Sequence, residues 1–413
     1  MRAMNYALLA RRDPRVLALA DQVVVSGCNF ATTVVVARQL VAQDFGLFSL
    51  AAMTCLFLAN LHRAGLTQPL NVIGSSEDRS QLTRRLASLL RAQAVLLPLI
   101  AIAIAAVALF LFPDASLAIA VIAYFASFAL QETLRRYWYT SGEIEKALHN
   151  DLLAYGSQVA VLAVLASVDA LYGSTAFGAM ATASLLAFAV GMRGIGRGVF
   201  DRSLPASGTL LEYWPLAKWL LLTVLAVWGA GQAYPLLMVP LGAAAVATFS
   251  ACRVLLNAVG FVVQSVNNYI PTQAARILRQ EGKRAFLRSV IRTCAMALAA
   301  GLAFVMLIDL FADELLAFMY AGRYDHAAPI LRILAWGTAC SYLGAILGAY
   351  ALAMHDSRSN FLSNLGASVI TFSVGIWLIR THGIPGAALA SVFSLATAMS
   401  LQAMFVVYRL YRL

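Results

Sequence analysis

Twelve apolar stretches of spanning length, separated by short polar breaks, dominate the 413-residue chain. They run over about 16–37, 45–66, 86–112, 116–139, 151–171, 174–192, 214–239, 244–270, 289–311, 329–354, 361–380 and 384–408. A helix needs about 20 predominantly apolar residues to cross a bilayer core. Inside that layer only helices and closed barrels satisfy their own backbone N–H and C=O groups. The pattern therefore predicts an all-α polytopic membrane protein of about twelve transmembrane helices. Composition agrees, with 61% hydrophobic and 12% charged residues, against about 45–50% and about 25% in soluble domains. Soluble enzymes and nucleic-acid binders are thereby set aside. The start of the chain has no signal-peptide core or cleavage site. Arg11-Arg12 is followed by a full-length apolar segment carrying Asp21, so an uncleaved first transmembrane helix is expected.

The net charge of +11 describes orientation before it describes a ligand. Loops on the side of the N-terminus hold twenty-one Lys and Arg, whereas the opposite loops hold only Arg38, Arg323, Arg332 and Arg380. Basic residues accumulate in cytoplasmic loops, which puts both termini in the cytoplasm and removes any need for a nucleic-acid partner. Five bases lie within or at the edge of spans: Arg63, Arg91, Lys218, Arg253 and Arg292. The five cysteines lie in apolar runs without a CxxC, and the five histidines are dispersed without HExxH, so neither a disulfide frame nor a metal site is expected.

The chain divides near residue 200. A Gly/Arg-rich cytoplasmic linker over about 192–213 separates residues 1–200, with helices one to six, from residues 201–413, with helices seven to twelve. This linker lacks the Lys and the preceding strand of a phosphate-cradling loop. Residues 45–51 align with 246–252 at an offset of 201, pairing Phe48 with Phe249 and Ser49 with Ser250. Copies separated by six helices keep one topology, so the repeat is parallel about the membrane normal, and two six-helix lobes around a central cavity are expected.

Polar residues inside the bilayer are costly, at roughly 2.5–3.5 kcal/mol for an ionised side chain on insertion scales, and normally face a bundle interior or an aqueous cavity. In the eighth span Arg253, Asn257, Gly260, Gln264 and either Asn267 or Asn268 recur on one helical face. Asn60 and Arg63 lie one turn apart in the second span, which matches the eighth across the repeat. Arg91 in the third span and Lys218 at the start of the seventh either join them or snorkel to the headgroups. In the first span Asp21 and Asn29 share a face, and Asp21 is either a coupling-ion site or the salt-bridge partner of one of these arginines. Glu132, just before Arg135-Arg136-Tyr137-Trp138-Tyr139, reads as part of an interfacial belt. Arginine grips phosphate oxygens bidentately, so an excess of it in a cavity predicts recognition of an anion.

Three segments carry a resemblance. Residues 36–51 (VARQLVAQDFGLFSLA), 319–334 (MYAGRYDHAAPILRIL) and 382–391 (HGIPGAALAS) resemble the corresponding segments of bacterial polysaccharide exporters. The chain is identified as similar to the Wzx-type flippases of the multidrug/oligosaccharidyl-lipid/polysaccharide (MOP) exporter superfamily. The resemblance implies a MATE-like fold and a bacterial inner-membrane protein. It also implies transfer of an undecaprenyl-diphosphate-linked oligosaccharide between leaflets for O-antigen, capsule or exopolysaccharide assembly. Alternating access, a cationic lumen, proton or sodium coupling without a cofactor, and a polysaccharide polymerase and co-polymerase as partners complete the expectation. The second-half segment departs from the family, since Val246-Ala247-Thr248 lacks the glycine present at Gly46. The competing readings are a multidrug or cation antiporter and a peptidoglycan-precursor flippase of the same superfamily. A polymerase or ligase would need a large outer loop, and the longest here, about 312–328, is short; the chain is not expected to be an enzyme.

Overall fold

A computed structural model describes residues 14–111, 115–195, 197–200, 204–257, 270, 273–274, 276–354 and 356–412. The described residues are helical apart from turns and short connections; the expected apolar runs are mainly helical over their described parts, but the fifth leaves the helix at 168–171, the seventh is broken at 232–233, and the eighth is described only over 244–257 and at 270. Nine of these helices are long and apolar enough to cross a membrane. The first unit contains α1 (Pro14–Gln39), α2 (Ala42–His62) leading through a π-helical turn (Arg63–Thr67) into α3 (Gln68–Gly74), α4 (Arg79–Leu111) and α5 (Ala115–Thr140). There follow α6 (Ile144–Asp151), a second π-helical turn (Leu152–Gly156), α7 (Ser157–Ser167) and α8 (Gly173–Met192). The chain continues with α9 (Ala206–Gly231), α10 (Tyr234–Leu237), α11 (Ala243–Asn257), α12 (Gly282–Tyr320) and α13 (Ala328–Ala353). Finally α14 (Ser357–Ile370) passes through a third π-helical turn (Thr371–Gly375) into α15 (Ile376–Arg412).

Two compact units result, Met1–Val224 and Leu225–Leu413, and the division falls within α9. Its position has a local cause. In the first unit the start of α9 is tied to α4: Arg85 reaches Glu77 and lies 2.7 Å from Glu212, and the Ser88 and Thr209 hydroxyls are 2.7 Å apart. In the second unit the end of α9 belongs to other partners, since Ser368 donates to the Ala226 carbonyl and Thr371 to that of Ala230.

In the first unit α5 packs against α8, and in the second α13 packs against α12 and α15. Without a hydrophobic drive between helices in lipid, small residues set how close backbones come. A Cβ on Gly191 of α8 would lie 2.5 Å from Trp138 and 2.6 Å from Leu134 of α5, so glycine lets the two helices come this close without moving those side chains. Half of the most apolar stretch of α5 and of α8 is buried, against 6% of that of α12, which makes α12 peripheral.

The 54-residue apolar helix Arg358–Tyr411 is two passes, because helical geometry fails at Gly383 (φ 63°). Antiparallel contacts follow across the break: Gln402 with Ser359, Ser394 with Thr371, and Gly386 against Leu378. A Cβ on Gly386 would sit 2.0 Å from the Leu378 carbonyl oxygen, so the reversal requires glycine twice, once for φ and once for space.

Candidate functional site

The first unit holds a buried charge network. Asp21 of α1 is fully buried, and Arg135 of α5 lies 2.5 Å from its Oδ2, the atom to which Tyr139 also donates at 2.5 Å. Arg135 contacts two further carboxylates, Asp151 at 2.5 Å and Glu132 at 3.4 Å. Glu132, itself 1% exposed, is approached by Arg136 at 2.8 Å and by Arg63 at 3.3 Å. Gln131 donates to Asp151 at 2.6 Å and to Asn150 at 3.2 Å. Three carboxylates and three guanidiniums from α1, α2's continuation, α5 and α6 thus neutralise one another. An ion network of this kind suits a low dielectric only when every charge has its partner. Asp21 Oδ1 and Asp151 Oδ2 are both buried without a hydrogen-bond partner among the described residues, Asp151 Oδ2 being held by its ion pair with Arg135.

The helices bend their registers to reach this network. Arg63 opens the first π-helical turn, and Asp151 directly precedes the second. The third begins at Thr371, whose hydroxyl lies 2.9 Å from Ser394, itself 2.7 Å from the Tyr234 hydroxyl. Single π-turns frequently mark functional positions in helices.

A different site occupies the second unit. Arg253 on α11 donates to the side-chain oxygen of Gln232 at 2.6 Å and stands 6.0 Å over the Phe249 ring. No carboxylate among the described residues comes within ion-pair distance of it. It lines a cavity of about 150 Å³ together with Gln232, Asn257, Thr338, Ser341, Tyr342 and Ser391. The lining offers donors and neutral acceptors but no anion, so this cavity can receive one.

The other residues singled out in the sequence lie elsewhere. Arg63 belongs to the charge network. Asn60 donates to the Leu56 carbonyl of its own helix at 2.9 Å, and Arg91 donates to the Leu204 carbonyl at the linker. Asn29 is exposed on α1, and exposed Lys218 places its ammonium 5.8 Å over the Trp219 ring. Gly260, Gln264, Asn267 and Asn268 lie outside the described residues. Glu132, read above as interfacial, is instead a buried centre of the network, as are Arg135 and Asp151. The signal was present in the spacing: Glu132, Arg135 and Arg136 stand at i, i+3 and i+4, one face of a helix.

No protein-family model and no curated protein matches the chain. Solved structures do. An inward-facing multidrug resistance MATE family transporter of the MOP superfamily matches with TM-score 0.76 and 14% identity over 95% of both chains. A mutant of the Vibrio cholerae MATE transporter VcmN matches with TM-score 0.65 and 13% identity, over 96% of this chain and 95% of that one. An outward-facing MATE family transporter of the MOP superfamily gives TM-score 0.57 and 14% identity, over 98% of this chain and 97% of its own. The all-α, two-unit chain therefore has the fold of the MATE transporters of the MOP superfamily.

Proposed function

We propose that this protein is a flippase that carries an undecaprenyl-diphosphate-linked oligosaccharide across the bacterial inner membrane, with both termini cytoplasmic and the two units alternating access. The observation that carries the reading is Arg253, a cation held by a neutral amide in a polar cavity. A guanidinium left without a carboxylate in the membrane is costly, and a bound diphosphate would offset that cost with bidentate, charge-assisted hydrogen bonds. At about 150 Å³ the cavity suits a phosphate-bearing group. The oligosaccharide would lie outside it, and the lipid tail would stay in the bilayer. Membrane lipids and the polysaccharide polymerase and co-polymerase are the proposed partners. No cofactor is proposed; exchange of a proton or sodium at Asp21, against its pairing with Arg135, is the proposed coupling step.

A cation or multidrug antiporter is the second reading. It is favoured by the buried carboxylates Asp21, Glu132 and Asp151 and by the multidrug transporters that share the fold. The balance of three carboxylates by three guanidiniums weighs against it. The experiment is export of lipid-linked oligosaccharide in a deletion strain complemented with Arg253→Ala, with membrane level measured alongside. Loss of export at normal level supports the flippase. Normal export, together with resistance to cationic drugs that depends on Asp21, would favour the antiporter.

A further inference from the structure

We propose that the outward face of α12 is a binding site for the phosphate headgroups of anionic phospholipids, built from Arg284, Arg288 and Arg292. The three stand at i, i+4 and i+8, about 6 Å apart along one side of the helix. All three are exposed, and none makes an ion pair or hydrogen bond to a described residue. The side of α12 that packs inward is set by Phe286, Val290, Cys294 and Ala297, which join Ile346, Leu347 and Tyr350 in one apolar cluster. At 100° per residue the arginines fall on the opposite side. Further along that same side come Leu302, Met306 and Leu310, all exposed apolar residues. The face is therefore lipid-facing along its length, with a cationic ladder at one end.

The depth of the ladder identifies its ligand. Residues 293–308 carry no charge and span only about 24 Å of helix before Asp309, less than a hydrocarbon core of about 30 Å. Arg292 therefore has to extend along the helix into the phosphate layer, where the groups within reach of a guanidinium fork are lipid phosphates. A general excess of basic loop residues would not need such a register. Loop residues would stand in water beyond the helix, whereas these three descend the lipid side in single-turn steps. Anionic headgroups near a membrane surface attract each Lys or Arg by about 1 kcal/mol, about fivefold in affinity. The site is separate from the Arg253 cavity and does not depend on what that cavity carries.

The test is lipid retention by the purified full chain, read by native mass spectrometry and by binding of labelled lipid in nanodiscs, with no transport substrate present. The wild-type protein should keep phosphatidylglycerol in preference to phosphatidylcholine, and the R284Q/R288Q/R292Q variant should lose this preference by roughly a hundredfold. Replacement by Lys at the three positions should keep part of it, since charge remains and the bidentate fork is lost. R193Q/R358Q removes two exposed arginines from other helix ends and should leave the preference unchanged. Equal retention of both lipids by the wild-type protein would overturn the proposal without reference to any variant. An equal loss in R193Q/R358Q would do so as well, by reducing the effect to overall charge.

Discussion

Arg135 holds Asp21 and Asp151 at the same distance, 2.5 Å, so one guanidinium on α5 joins α1 to α6 through the interior of the first unit. Glu132, one turn earlier on α5, uses the same guanidinium at 3.4 Å and brings in Arg63 and Arg136. The network is neutral as a whole, and its members are not interchangeable.

Removing its centre should be the most damaging single change in the unit. Arg135→Leu leaves buried carboxylates without a counter-charge, and breaking a buried pair in this way costs about 3–5 kcal/mol. The expected result is a large fall in thermal stability and membrane level. Asp21→Asn keeps the shape and a hydrogen-bond acceptor and should cost less. A thermal shift in detergent on both variants checks the order.

Arg63 and Arg253 should separate cleanly. Arg63 is one of three arginines on Glu132 and is 42% exposed, so Arg63→Ala should lower stability by no more than about 1 kcal/mol. Arg253 has no acidic partner to strand, so Arg253→Ala should leave protein level unchanged while abolishing transport. Arg253→Lys should restore only part of the activity if the fork is used bidentately. Transport assays normalised to protein level read the contrast.

Two glycines should refuse a single methyl group for different reasons. Gly386→Ala meets the Leu378 backbone oxygen at 2.0 Å and cannot be relieved by a rotamer change, so the hairpin closing α15 should not form. Gly191→Ala meets side chains, Trp138 and Leu134, which can shift; overpacking of this kind costs about 1–3 kcal/mol. Folded yield should be lost for the first and reduced for the second.

Asp78, between α3 and α4, accepts the Gln81 backbone N–H at 2.8 Å and the Ser80 hydroxyl at 2.9 Å. The bond from Gln81, followed by that from Ser80, holds its pKa below the ordinary aspartate value. A carboxylate depressed in the folded state contributes its full stabilisation above the unfolded-state pKa and loses it as pH falls through the lower folded one. The difference in melting temperature between the wild-type protein and Asp78→Ala should therefore be constant near neutrality and shrink in the acid range. Melting curves across that range measure it.

That the chain is built from apolar helical passes was legible in the sequence, because bilayer thickness and backbone satisfaction are local demands on some 20 residues at a time. Arg253 was legible for a related reason: a charge recurring with amides on one face of an apolar run has few destinations. The partner of Asp21 was not. Arg135 is 114 positions away, and Glu132, Arg135 and Asp151 lie close to the polar ends of their spans, where loop and interior look alike. Only the packing of α1, α5 and α6 decides that these charges are buried and paired. The division of α9 between two units is of the same kind, since Arg85–Glu212 and Ser368–Ala226 join segments more than a hundred residues apart. What a span must contain follows from the membrane, and the sequence determined that much; which charge meets which depends on helices brought together in space, and the tertiary structure decided it.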